Sequence, residues 1–218
     1  MSEREARQAL ACVVEPATPQ VAEAVAEFGA EAVWRRLLDR PGDTPLSLRA
    51  REYRAEAVAA RAAAAGMRFV VPGDHEWPAG ADDLTGCEQV NEMTGAPLGL
   101  WLRGAGDLAA LTGRSVSIVG SRACTAYGET VAGDLAAELG EAGYATVSGG
   151  AFGIDAAAHR GCLASRTPTV VVLAGGLDEA YPPAHRPCSS GSPNRECWSP
   201  SCRRVSTRPG CASWAATG

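Results

Sequence analysis

The chain has 218 residues with 46% hydrophobic and 21% charged residues and a net charge of -5. That is enough apolar material for a core in one medium domain plus a smaller one, and too acidic a balance for a globally basic nucleic-acid binder, although a local basic patch is compatible with it. Mean hydropathy is -0.07; no apolar run approaches the ~18 residues that span a bilayer, and MSEREARQAL lacks a signal-peptide core, so no membrane partner and a cytoplasmic location are expected.

Every basic residue is Arg, so an anion site has to use guanidinium or backbone N–H groups. Of the eight Cys, Cys12, Cys87, Cys124 and Cys162 are too scattered for a metal pair or a disulfide scaffold.

Residues 1–66 read as a small helical domain. Thr18 is placed as an N-cap with Pro19 at the first helical position, and a short helix over Glu31 to Leu38 follows Gly29. Arg40 to Gly42 break the pattern, Ser47 caps again, and an Ala- and Arg-rich helix runs to Gly66. No basic face is read here, which makes a packing or protein-interaction module the expectation. Residues 67–113 form a connector with extended runs at Met67 to Val71 and Pro97 to Leu102.

Residues 114–186 alternate strand and helix: SVSIV, a helix from Thr125 to Ala142, YATV, a helix from Ile154 to Ala164, then TVVVLA. This spacing predicts an α/β domain with a parallel sheet and right-handed crossovers. Val131, Leu135, Leu139 and Ala142 share an arc of about 80°, which predicts the buried stripe of the first helix.

Ligands of such sheets bind beyond the C-terminal strand ends, where three loops meet. The first, Gly120, Ser121 and Arg122, combines a tight turn, a hydroxyl, a planar cation and a helix N-terminus, a phosphate-like anion site. The second runs Ser148, Gly149, Gly150, Ala151, Phe152, Gly153, Ile154, Asp155, whose successive N–H groups can form an anion nest. Asp155 and His159, at i and i+4, are either an acid–base pair or pins for this loop; with no nucleophile or metal set beside them, pinning is favoured. The third contains Gly175 and Gly176 and closes on Tyr181, which either stacks on a base or plugs the core. Neither a dinucleotide fingerprint nor a P-loop occurs, so no ATP or dinucleotide cofactor is expected.

Together the three loops resemble the DNA-processing protein A (DprA, or Smf) family, through IVGSR with Tyr127-Gly128, SGGAFGIDAAAH and VVVLAGGLDEAYP. The Gly73-Asp74 turn, Trp77-Pro78 and PLGLWLRG resemble its lead-in, so the likeness covers about residues 10 to 186. It implies a Rossmann-like domain that binds single-stranded DNA and delivers it to the RecA recombinase in natural transformation, without catalysis and as a homodimer. It also implies that Gly120, Ser121, Arg122, Ser148, Gly149 and Gly153 face the phosphates, and that Phe152 stands where many members carry Arg.

Residues 187–218 hold one large aliphatic residue, Val205, against seven Ser, four Pro, four Arg and four Cys. They are read as a disordered or out-of-frame tail, with Cys spacing too wide for zinc. The sheet is then incomplete, with an open edge on TVVVLA, and the protein a truncated copy whose dimerisation is in doubt. The alternatives are an enzyme like the nucleoside-monophosphate phosphoribohydrolases, from whose PGGxGTxxE pattern Gly175 to Glu179 depart, or a protein-interaction module built on the helical domain.

Overall fold

The computed structural model describes residues 1–40, 42, 44–88 and 94–173 and the backbone of residues 203–206. Five helices come first: α1 (Glu3–Val13), α2 (Pro19–Phe28), α3 (Ala30–Asp39), α4 (Pro45–Glu52) and α5 (Ala55–Ala64). Ser2 and Glu5 form a capping box on α1, and Pro19 takes the first position of α2. The cap of α4 is Thr44 instead of Ser47: Ser47 sits three residues inside and its hydroxyl accepts from the Thr44 N–H at 3.0 Å, the reciprocal half of the box.

Leu10, Val13, Val25, Trp34, Leu37 and Ala50 close the core of this bundle, with Tyr53 edge-on to Trp34 at 5.4 Å. The Glu3 carboxylate accepts the Ala30 N–H at 2.9 Å and the Arg7 Nε–H at 2.9 Å, so one side chain caps α3 from α1.

A basic patch is present on this domain. Arg35, Arg36 and Arg40 are exposed on the last turns of α3, the Arg51 guanidinium donates to the Arg40 carbonyl at 3.1 Å, and Arg54 donates to the Arg51 carbonyl at 2.7 Å. The acidic residues of the whole domain offset these arginines in its net charge; the contacts of Arg51 with Arg40 and of Arg54 with Arg51 hold them together.

Strands β1 (Met67–Val70), β2 (Leu100–Arg103), β3 (Ser115–Ser117), β4 (Ala145–Gly149), β5 (Thr169–Leu173) and β6 (Arg203–Ser206) form one sheet in the order β1-β2-β6-β5-β4-β3. β3 to β6 are parallel neighbours, whereas β1–β2 and β2–β6 are antiparallel. Helix α6 (Leu108–Thr112) precedes β3, α7 (Ala126–Glu141) links β3 to β4, and α8 (Ile154–Ser165) links β4 to β5.

The expected open edge on β5 does not exist. Arg203 to Ser206 pair with β5 on one side and β2 on the other, because ladder bonds are made by backbone N–H and C=O and require no apolar composition. The other tail residues, Cys188, Cys197, Cys202 and Cys211 among them, lie outside the described residues.

Alternation along β5 sends Val171 and Leu173 to a cluster with Met67 and Trp101 and Val170 to the opposite face with Val70, Trp77, Leu100, Leu102 and Leu108.

The stripe expected on α7 is displaced by one residue. Ala132, Ala136 and Gly140 are buried, while Val131 and Leu135 are exposed. The cause is close packing on α8: a Cβ on Gly161 would collide with the Gly133 carbonyl oxygen, so the backbones approach too closely for Val or Leu between them.

The helical domain is fastened to the sheet by Arg4, which donates to the Phe69 carbonyl at 2.9 Å and pairs with Asp74. Burial raises the Asp74 carboxyl, but the Val71 N–H and the Arg4 guanidinium outweigh it and hold its pKa below the usual carboxylate range. A depressed folded-state pKa adds stability present above the unfolded value and lost as pH falls through the folded one. Asp74→Ala is therefore expected to cost about 1–2 kcal/mol at neutral pH, reduced by solvent screening of the half-exposed Arg4, and the cost should vanish in strong acid. Urea melts of both proteins at neutral and acid pH check this.

Candidate nucleic-acid interface

Residues after β3 and after β4 emerge side by side at one sheet edge, as parallel pairing of these strands requires. The two loops then lock together. The Ile154 N–H donates to the Ser121 carbonyl at 3.2 Å. Gly153, at φ 78°, lies so close that a Cβ would collide with the Ser121 carbonyl oxygen and stand 2.7 Å from that of Arg122. Gly120 lies against the Ile154 side chain, and Gly149 against the Asp155 carboxylate.

The second loop is held from below. His159, 2% exposed, places Nε2 2.9 Å from the Gly149 carbonyl and Nδ1 2.7 Å from the Thr169 hydroxyl. A carbonyl oxygen only accepts, so Nε2 carries the proton in this bond. Both ring nitrogens are therefore engaged, and Asp155 is buried. Ser148 is buried too, its hydroxyl donating to the Ile118 carbonyl at 2.5 Å. It joins β4 to the end of β3 and does not face outward as expected, and Gly150 is likewise buried.

What this scaffold presents to solvent is Gly120, Ser121 and Arg122. The Ser121 hydroxyl oxygen accepts the Ala123 N–H at 3.2 Å, which shapes the turn. Arg122 has no ion pair among the described residues, whereas Arg160, on the outer side of α8, stands 3.6 Å from Glu129. The N-terminus of α8 opens behind Gly153 with no side-chain cap, adding partial positive charge.

Three apolar side chains surround these groups: Tyr127 is 79% exposed, Val119 71% and Phe152 46%. The sequence pattern presents Phe152 as a lost cation and Tyr127 as part of a motif, and neither as an exposed aromatic face. An aromatic residue inside a Gly-rich loop, outside any helix or strand period, is the signal of exposure that the sequence carries. Gly175, Gly176 and Tyr181 lie outside the described residues. Among the described residues no three of His, Cys, Asp and Glu group to hold a metal, and no helix is long and apolar enough to cross a membrane.

The DNA recombination-mediator protein A family model matches residues 68–195. The putative DNA processing protein DprA of Mycobacterium tuberculosis (strain ATCC 25618 / H37Rv) is 49% identical over 122 residues, which are 55% of this chain and 31% of that protein. DNA processing protein DprA of Bacillus subtilis (strain 168) is 41% identical over 78 residues, 35% of this chain and 26% of that protein. The matched segments thus span about a third or less of these relatives. The X-ray structure of DNA processing protein A from Streptococcus pneumoniae shares the fold, with a TM-score of 0.61 at 20% identity over 95% of this chain and 68% of that one. The family match covers more than half of the chain and contains both interlocked loops: the chain belongs to the DNA recombination-mediator protein A family.

Proposed function

We propose that this protein binds single-stranded DNA across the paired loops and delivers it to the RecA recombinase during natural transformation. The observation that carries the reading is the backbone-to-backbone lock of Gly153 on Ser121 and Arg122. It fixes an exposed hydroxyl, an exposed guanidinium and a helix N-terminus on one edge.

Such a site suits phosphate and carries no sequence information, as delivery of arbitrary incoming DNA requires. Tyr127 and Phe152 offer faces on which unpaired bases stack, each contributing about 1–3 kcal/mol. Bases paired within a duplex are not available to them, so the site selects single strands. Ser148, Gly149, Gly150, Asp155 and His159 serve this site by holding its shape.

Arg122→Ala is expected to weaken binding of a fluorescent oligothymidine about fivefold to tenfold and to reduce the slope of log affinity on log salt by about 0.7. Arg160→Ala, whose charge is spent on Glu129, should change neither beyond about twofold. Anisotropy titrations over a salt series read both quantities. Indistinguishable variants would move the site away from the first loop.

A further inference from the structure

The cations of this acidic protein are unevenly placed. Residues 35–54 hold six Arg against Asp39, Asp43 and Glu52, while α7 carries Glu129, Asp134, Glu138 and Glu141 and no basic residue. The paired loops expose Arg122 alone. A polyanion longer than the loops hold therefore meets repulsion along α7 and attraction at the α3–α4 corner.

The sheet joins the loop edge to the helical domain. Two antiparallel pairings separate β1 from β6, so β1 runs parallel to β3, β4 and β5, and its end at Val70 lies on the same sheet edge as the loops. Arg4 ties α1 to that end through the Phe69 carbonyl and Asp74, and α3 and α4 pack with α1 in one core. Five strand spacings of about 4.8 Å, roughly 24 Å in all, lie between β3 and β1.

We propose that the arginine corner of α3 and α4 is a second phosphate contact for the same nucleic-acid strand, engaged only by strands long enough to leave the loops and reach it. Arg35, Arg36, Arg40 and Arg54 supply the charge, and Arg51 braces the corner through the Arg40 carbonyl. Contacts of this kind neutralise phosphates and read no bases. The proposal rests on the loop site proposed above and extends it from a local contact to a path.

The test uses the full chain and two fluorescent oligothymidines, of about 6 and about 24 nucleotides, which bracket typical single-strand site sizes. The variants are the double substitutions Arg36→Ala/Arg40→Ala and Arg36→Lys/Arg40→Lys. Both positions are exposed, so the fold should survive, and far-ultraviolet circular dichroism verifies it.

The alanine pair should leave the short strand unaffected, weaken the long strand about tenfold or more, and reduce the long strand's salt slope by about 1.4, two contacts at about 0.7 each. The lysine pair should restore most of that slope. Equal losses on both lengths, or none on the long strand while the short one binds, would overturn the second contact. If the short strand does not bind but the long one does and depends on Arg36 and Arg40, the loop reading fails and the arginine corner stands. If neither length binds, both are overturned.

Discussion

Replacing Gly153 with Ala is expected to abolish single-strand binding, with a loss of 100-fold or more, about 3 kcal/mol, and to destabilise the fold by about 3 kcal/mol. Gly153 combines φ 78° with ψ −126°, a region closed to L-residues with a Cβ. The added carbon would also strike the Ser121 carbonyl oxygen. Relief requires the two loops to separate, which breaks the Ile154 to Ser121 bond and releases Arg122 from its fixed position. The matched control is Gly128→Ala, inside α7, where a Cβ would find its nearest neighbour at an ordinary 3.4 Å and helix propensity gains about 0.5–1 kcal/mol. Denaturant melts together with anisotropy titrations read both. A Gly153→Ala protein that melts and binds like the parent would refute the interlocked-loop geometry.

The second large effect belongs to the α7–α8 contact. Gly161→Val should cost about 3 kcal/mol or more, since a Cβ there would collide with the Gly133 carbonyl oxygen and lie 2.8 Å from its carbonyl carbon; a backbone does not yield as a side chain does. Leu135→Ser should stay within about 0.5 kcal/mol, because Leu135 is exposed and surface changes of this kind are small. Thermal melts of the two variants decide between this packing and the one that residue periodicity suggests, in which Leu135 is core and its loss is the costly one.

That contrast shows what the residue pattern conveys. Strand and helix order from Ser115 to Leu173 is legible because β-branched runs alternate with helices of ordinary length, and the observed bounds of β3, α7, β4, α8 and β5 differ from the pattern only at their ends. Which face of α7 is buried is not legible from hydrophobicity. The glycines and alanines that permit close approach outrank the larger residues, and their partners on α8 are about 25 residues away in sequence.

Strand β6 is not legible in the sequence for a related reason. Composition weighs side chains, whereas the ladder that Arg203 to Ser206 join is made by backbone groups. Gly120, Ser121 and Arg122 lie exposed between β3 and α7, an order that the strand-to-helix pattern makes legible. Ser148 turns inward because its place in β4 points its hydroxyl at the Ile118 carbonyl, a consequence of register that one strand read alone does not disclose. The run of arginines over residues 35–54 is legible in the sequence, but the contact that brings Arg51 to the Arg40 carbonyl is not.

The proposed role of the paired loops is to hold unpaired nucleic acid through its phosphates and base faces. It is tested most directly by competing single-stranded against duplex DNA of the same sequence for the full chain, over a series of salt concentrations. Preference for the single strand is expected, with log affinity falling linearly in log salt by about 0.7 for each phosphate neutralised. Equal affinity for the two forms, or an affinity indifferent to salt, would contradict it.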